Sequence, residues 1–136
     1  GLEAMALLVL GRLSCTNPWS ATLVGASAAV AAPFVGADHG VLMPLFYVLP
    51  GIVLDAGYRL WPRLVGQALL FLPLVAAVAF AAKPVVRVMA NQLFDMPFGS
   101  LRAGPVYPLL THLMFGFLGA LAAVLLWRAT ERRLRN

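Results

Sequence analysis

The stretch VYPLLTHLMFGFLGALAAVLLWRATERRLRN, residues 106–136, decides the fold of this chain. Residues 106–127 contain no Asp, Glu, Lys or Arg, and about 20 apolar residues span the hydrocarbon core of a bilayer. After Trp127 the tail carries four arginines and one glutamate. An interfacial aromatic residue followed by basic residues is typical of the cytoplasmic end of a transmembrane helix. The stretch therefore predicts a membrane span with a cytoplasmic C-terminus.

The composition agrees with a membrane protein. The 136 residues are 62% hydrophobic and 11% charged, whereas about a quarter of the residues in a soluble domain are charged. We expect one all-α domain over residues 1–136, a polytopic integral membrane bundle held together by helix packing. The net charge of +5 is spread along the chain, which favours contact with membrane lipid and gives no nucleic-acid surface. A single cysteine, Cys15, excludes an internal disulfide.

Five apolar segments are predicted, at residues 2–13, 19–35, 41–60, 64–82 and 106–127. The first is too short to cross a bilayer alone. Pro50-Gly51 predicts a kink in the third segment, and Lys83-Pro84 predicts the end of the fourth. Residues 85–105 are predicted to form a long outer loop, whose amphipathic start is open to an interfacial or re-entrant helix followed by an extended lid. In the last segment Gly116, Gly119, Ala120 and Ala123 predict an internal packing face.

The basic residues predict the topology. If the C-terminus is cytoplasmic, alternation of the five segments places seven arginines inside: Arg12, Arg59, Arg63, Arg128, Arg132, Arg133 and Arg135. Three basic residues remain outside: Lys83, Arg87 and Arg102. This asymmetry supports five segments with the first residue outside. We therefore expect a six-helix parent with both termini cytoplasmic, in a bacterial or archaeal plasma membrane.

The same topology gathers polar residues at the outer face. We expect them to form a shallow pocket for a small molecule beneath the loop at 85–105, because such pockets combine apolar walls with a few polar groups. The predicted binding residues are Asp38, His39, Tyr47, Asn91, Gln92, Asp95, Tyr107, Thr111 and His112. Apolar walls are expected from Phe46, Phe94, Phe98 and Phe115, beside Tyr47.

Several of these residues also have a purely structural interpretation. His112 is an ionisable group inside a predicted span, which marks a functional site, but it can instead hydrogen-bond to a neighbouring helix. Asp38 suits a helix N-cap, and a loop residue such as His39 is often simply solvated. His39 and His112, with Asp38, are candidates for a transition-metal site, although no HxH or HExxH spacing supports one. Asp55 and Arg59 are spaced for an i,i+4 ion pair.

The second segment is rich in small residues that allow close approach of another helix. Gly25 and Ala29 are four residues apart, as are Ala28 and Ala32. Such a face serves either internal packing or docking to another subunit, and both remain open from the sequence.

Motifs of common enzyme classes are absent from the sequence. It has no Walker nucleotide loop, no Gly-x-Ser-x-Gly elbow and no CxxCH haem attachment. We therefore expect neither an enzyme nor a bound cofactor. No series of acidic residues lies within the spans, and ion-coupled transporters usually need one. Any transport by this chain is expected to borrow its energy from partner proteins.

Two stretches, GVLMPLFYVLPGIVLDAGYRL and GPVYPLLTHLMFGFLGA, resemble the substrate-binding (S) components of energy-coupling factor transporters. They are similar in texture to members grouped with uptake of thiamine precursors. The resemblance implies six helices and a vitamin, cofactor precursor or metal bound near the outer face. It also implies a transmembrane coupling protein and two cytoplasmic ATPases as partners. The docking strip of that family, usually on its first helix, is matched here by Ala28 and Ala32 on the second segment.

The sequence thus favours a membrane-embedded substrate-binding subunit of an ATP-driven importer. The main alternative is a non-catalytic structural subunit of a larger membrane complex, such as a respiratory or oxidase assembly. A membrane metal site is a third hypothesis.

Overall fold

The computed structural model describes residues 1–36, 40, 42–60, 69–102 and 104–135. Every regular element in these residues is helical, which confirms the all-α prediction there. The helices are α1 (Leu2–Ser14), α2 (Ser20–Ala31), α3 (Met43–Leu60), α4 (Phe71–Phe94) and α5 (Val106–Arg135). Short 3-10 turns follow at Ala32–Val35 and Gly99–Leu101.

Two of the described helices are long and apolar enough to cross a membrane. They are α4, with 24 residues, and the Val106–Arg133 part of α5, with 28 residues. At 1.5 Å per residue the 13 residues of α1 extend only about 20 Å. Helix length therefore gives two spans of full length within the described residues, fewer than the five segments predicted.

The fourth segment differs from its prediction. The helix passes through Lys83-Pro84 and ends at Phe94, so residues 85–94 are helical and do not belong to a loop. Residues 64–68 of the predicted segment lie outside the described residues. A proline removes one helical hydrogen bond, and burial of Pro84 and the residues around it outweighs that loss. Lys83 consequently lies near the middle of α4, about 18 Å from its start.

The five described helices pack in a closed ring. Each of them contacts the next described helix, α3 with α4 included, and α5 returns to contact α1. The shared core contains Met5, Val9, Leu54, Phe80 and Ala120, all nearly inaccessible to solvent. The ring has two ends, one where α1 and α3 finish and one where α2 and α4 finish.

Small residues of α5 allow the neighbouring helices to approach it closely. Gly116 packs against the backbone of Ala77 in α4, and Gly119 packs against the backbone of Leu2. Ala120 and Ala123 are buried, so the predicted internal packing face is confirmed. Because Leu2 lies beside Gly119, α1 flanks the second half of α5, towards its C-terminus.

Candidate functional site

The predicted polar residues at the end of α4 build the end of that helix. The amide of Asn91 donates to the carbonyl of Met96 at 2.9 Å. Asp95 follows the last helical residue with a left-handed backbone, φ 50°. Asn91, Gln92 and Asp95 are all exposed. They therefore terminate a helix at the surface, and none of them lines the cavity described below.

The predicted residues at the start of α5 bond within their own helix. The Thr111 hydroxyl lies 3.0 Å from the carbonyl oxygens of both Tyr107 and Pro108. His112 Nδ1 lies 2.7 Å from the carbonyl of Pro108, and because a carbonyl only accepts, Nδ1 is the protonated nitrogen. Within the described residues, the hydrogen bond of His112 is therefore made to its own helix, one turn back, and not to a neighbouring helix. Tyr107 is exposed.

Three side chains of α4 and α5 form a stack that the sequence did not reveal. The ring of His112 lies 4.9 Å from that of Phe80, centroid to centroid. The ammonium of Lys83 lies 4.6 Å from the Phe80 centroid and 5.2 Å from that of Tyr47. A cation over an aromatic face is attracted by the ring quadrupole. Phe80 therefore links His112 to Lys83, the single lysine of the chain.

Among the described residues, Lys83 has no carboxylate within ion-pairing distance. The one pair closer than 4.0 Å in that part of the chain joins Arg12 and Asp55. The contacts of the Lys83 ammonium are with the two aromatic rings. A half-buried ammonium in the middle of a long apolar helix is costly unless a partner compensates the charge.

Lys83 of α4 lines a cavity of about 450 Å³, whose other walls come from α1, from α2 with the turn after it, and from α3. The walls are mostly small or aliphatic, and the polar groups are Lys83, Glu3 and the Tyr47 phenol. The lining residues are Glu3, Ala4, Leu7, Leu8, Val24, Gly25, Ala28, Ala31, Ala32, Val35, Tyr47 and Lys83. Both the size and the apolar walls with a few polar groups fit a small-molecule site. Of the predicted binding residues that the structure describes, Tyr47 alone lies in this lining.

The loop after α4 folds back over the start of α3. The Phe98 ring packs edge-on against Phe46 at 6.4 Å between centroids. The Arg87 guanidinium lies 4.9 Å from the Phe46 ring and donates to the Ser100 hydroxyl at 3.4 Å. Its Nε is buried without a partner. The loop thus covers Arg87 and Phe46, while Phe94, another predicted wall residue, is 70% exposed.

The small residues of α2 divide between two environments. Gly25 packs against the Tyr47 carbonyl of α3, and Ala32 is buried. Ala28 lines the cavity, and Ala29 is half-buried. Gly25 therefore serves internal packing with α3, and docking of another subunit to the small-residue face stays a prediction.

Asp38 and His39 lie outside the described residues, so their place in the site is not assigned. Within the described part of the chain, no three His, Cys, Asp or Glu side chains come close enough to hold a metal ion. His112 has no such partners there, and the metal hypothesis gains no geometric support from it.

A second charged group lies at the other end of the ring. Asp55 is fully buried beside Arg12, with 3.7 Å between Oδ1 and Arg12 Nε. The predicted pair of Asp55 with Arg59 is therefore wrong. Arg59 instead lies over the Trp19 ring at 3.9 Å. No local sequence pattern indicates the true partner, because Arg12 belongs to a different helix.

No family model, curated protein or solved structure matches this chain. The function therefore has to be argued from the site itself. The sequence reasoning missed Lys83, Glu3 and Arg87 as members of that region. The available signal was the position of a single lysine within an apolar stretch that continues on both sides of Pro84.

Proposed function

We propose that this chain is a membrane-embedded subunit that binds a small molecule in the cavity lined by Lys83 and Tyr47. The fuller form of the proposal is a substrate-binding subunit of an ATP-driven importer. In that assembly a transmembrane coupling protein and cytoplasmic ATPases supply the energy, since no nucleotide motif occurs in the sequence.

The exposed surfaces of α4 and α5 support a membrane location. Large apolar side chains recur about four residues apart on the outside of both helices. On α5 they include Val106, Leu110, Met114, Leu118 and Leu125, and on α4 they include Leu74, Val78, Val85, Met89 and Leu93. Contiguous apolar surface of this extent is rare on soluble monomers. Lipid tails would cover such stripes without cost to the fold.

One observation carries the binding role. The single lysine of the chain lies midway along the 24-residue helix α4 and reaches the cavity with no carboxylate partner in the described residues. Ionisable residues at such positions in membrane helices generally serve binding or transport. A purely structural subunit has no evident use for this charge, because replacing it with an aliphatic residue would remove a desolvation cost.

The proposal is tested by extracting the protein in a mild uncharged detergent and identifying co-purifying molecules by mass spectrometry. We expect one small molecule in stoichiometric amount. Ala28→Phe, which fills the cavity from α2, should abolish its retention. Ala122→Phe, at an exposed position of α5, is the matched control and should retain it. Retention by Ala28→Phe, or no small molecule with the parent protein, would contradict the proposal.

The structural-subunit alternative is favoured by a different surface. A shallow apolar groove between α3 and α4 is lined by Val53, Ala56, Gly57, Leu60, Leu74, Val75 and Val78. It accepts either a lipid chain or a helix of another subunit. The same purification separates the two functions, because ATPases among the co-purifying proteins support the importer, whereas redox subunits support the alternative.

A further inference from the structure

We propose that Lys83 binds the anionic group of the ligand, so that the cavity selects small molecules that combine a carboxylate or phosphate with an apolar body. This inference rests on the proposed binding function and adds the chemical class of the ligand. A neutral ligand in the same cavity would preserve the function and refute the inference.

The charges around the cavity favour an anion. Lys83 and Arg87 are one turn apart on α4, and both reach towards the start of α3, over Tyr47 and Phe46 respectively. Like charges at this spacing repel each other, and no carboxylate of the described residues lies within 4.0 Å of either. An anion on Lys83 relieves both the repulsion and the desolvation of the ammonium.

The aromatic neighbours fix where the ammonium is aimed. The rings of Phe80 and Tyr47 lie at 4.6 Å and 5.2 Å from Nζ, and these contacts hold the side chain while no oxygen of the described residues accepts from its three N–H donors. Those donors remain available for a carboxylate or phosphate oxygen, and hydrogen bonds of this charge-assisted kind are about twice as strong as neutral ones. The surrounding walls, among them Leu7, Ala28 and Ala31, suit an apolar body.

Glu3 is the acidic residue in the same lining, and it differs from Lys83 in environment. It is exposed and lies in the first turn of α1. There the helix dipole and water stabilise its charge, so it needs no bound cation. Lys83 is more enclosed, and its partners among the described residues are two aromatic rings with no counter-charge, so we infer that the ammonium dominates selection.

The test compares three probes that differ in one end group: hexanoate, hexanol and hexylamine. Their binding to the detergent-solubilised protein is measured by the shift of the thermal unfolding midpoint with probe concentration. Hexanoate should stabilise the parent protein at concentrations about tenfold or more below those required of hexanol, because a charge-assisted hydrogen bond is stronger than a neutral one. Hexylamine should bind no better than hexanol.

The variants separate the charge from the cavity. Lys83→Met should remove the preference for hexanoate, Lys83→Arg should keep it, and Arg133→Met, in the exposed tail, should leave it unchanged. If Lys83→Met does not fold, the lysine of the parent protein is modified chemically instead. Acetylation removes its charge and should abolish the preference for hexanoate, whereas reductive dimethylation keeps the charge and should preserve the preference. Equal responses to acid and alcohol in the parent, or a response to none of the probes, would overturn the anion site.

Two further arms identify the source of the anion. The first arm adds phosphatidylglycerol to phosphatidylcholine nanodiscs that contain the protein. The hexanoate response should stay intact if the natural ligand is a free solute, and should be suppressed if a lipid headgroup occupies Lys83. Either result upholds an anion site. Asp38→Asn tests an internal carboxylate. A hexanoate response that appears only in Asp38→Asn would mean that Asp38 already neutralises Lys83, which would overturn the proposal.

Discussion

Arg12 and Asp55 form a buried ion pair across the ring, although they lie 43 positions apart in the sequence. The two Asp55 oxygens accept from the backbone N–H groups of Ala21 and Thr22 at 3.3 Å and 2.8 Å, and from the Thr22 hydroxyl at 2.7 Å. A carboxylate from α3 thus satisfies free donors in the first turn of α2, where a negative charge also suits the helix dipole. One side chain joins three helices.

Asp55→Ala should lower the free energy of unfolding by about 3–5 kcal/mol, because it leaves a buried arginine without its counter-charge. Arg12 would retain its hydrogen bonds to the Asn17 carbonyl at 2.6 Å and the Ser20 hydroxyl at 3.1 Å, and its position 4.1 Å over the Tyr58 ring. The measurement is unfolding of the detergent-solubilised protein by denaturant.

The matched control is Arg59→Met. Arg59 is exposed and lies over Trp19, so its loss should cost about 1 kcal/mol or less. The double variant Arg12→Met with Asp55→Leu should be less destabilised than the sum of its single variants. Simple additivity would show that the two charges do not depend on each other.

The sequence predicts those features of the structure that depend on local pattern. It does not predict the features that depend on contacts between distant residues. The sequence correctly predicts a helix over residues 106–127 with an internal face at Gly116 and Gly119, because apolar length and small-residue spacing are local properties. The sequence wrongly predicts a helix end at Lys83-Pro84, since both residues are unfavourable within an apolar helix. Burial of Pro84 and the contact of Lys83 with the Tyr47 ring of α3 offset that local preference. The place of Lys83 in the cavity follows from the same non-local packing.

Gly25→Ala should destabilise the protein by about 1–3 kcal/mol, the usual cost of overpacking a tight contact. An added Cβ would lie 2.5 Å from the Tyr47 carbonyl oxygen, and a backbone atom within a helix cannot move aside. The gain in helix propensity, about 1 kcal/mol, is too small to compensate. Thermal unfolding in detergent provides the measurement.

Gly11→Ala is the helical control for this substitution. Its Cβ would meet the end of the Val24 side chain at 2.6 Å and no backbone atom closer than that side chain, so a side-chain adjustment can relieve the contact. We expect a clearly smaller loss than for Gly25→Ala. A larger loss at Gly11 would mean that α1 and α2, and not α2 and α3, form the less adaptable contact.

Cys15 provides a test of the proposed orientation without any added residue. It is the single cysteine of the chain and is exposed at the end of α1. If the arginine-rich end is cytoplasmic, a membrane-impermeant maleimide should label Cys15 only after the cells are permeabilised. Gly99→Cys in a Cys15→Ala background should show the opposite pattern, because residue 99 lies in the loop at the other end of the ring. Labelling of Cys15 in intact cells would reverse the topology.

His112→Ala should weaken ligand binding about two- to tenfold and leave the protein folded, and the structure assigns the effect to Phe80. The imidazole packs on that ring at 4.9 Å, an aromatic contact worth about 0.5–1.5 kcal/mol, and Phe80 in turn positions Lys83. His112→Phe preserves the packing and removes the bond to Pro108, so hexanoate binding should remain near the parent value. Thr111→Val, which removes bonds within the same turn of α5, should change binding little. If His112→Phe weakened binding as much as His112→Ala, the imidazole itself would have to contact the ligand, and His112 would be a binding residue that does not act through Phe80.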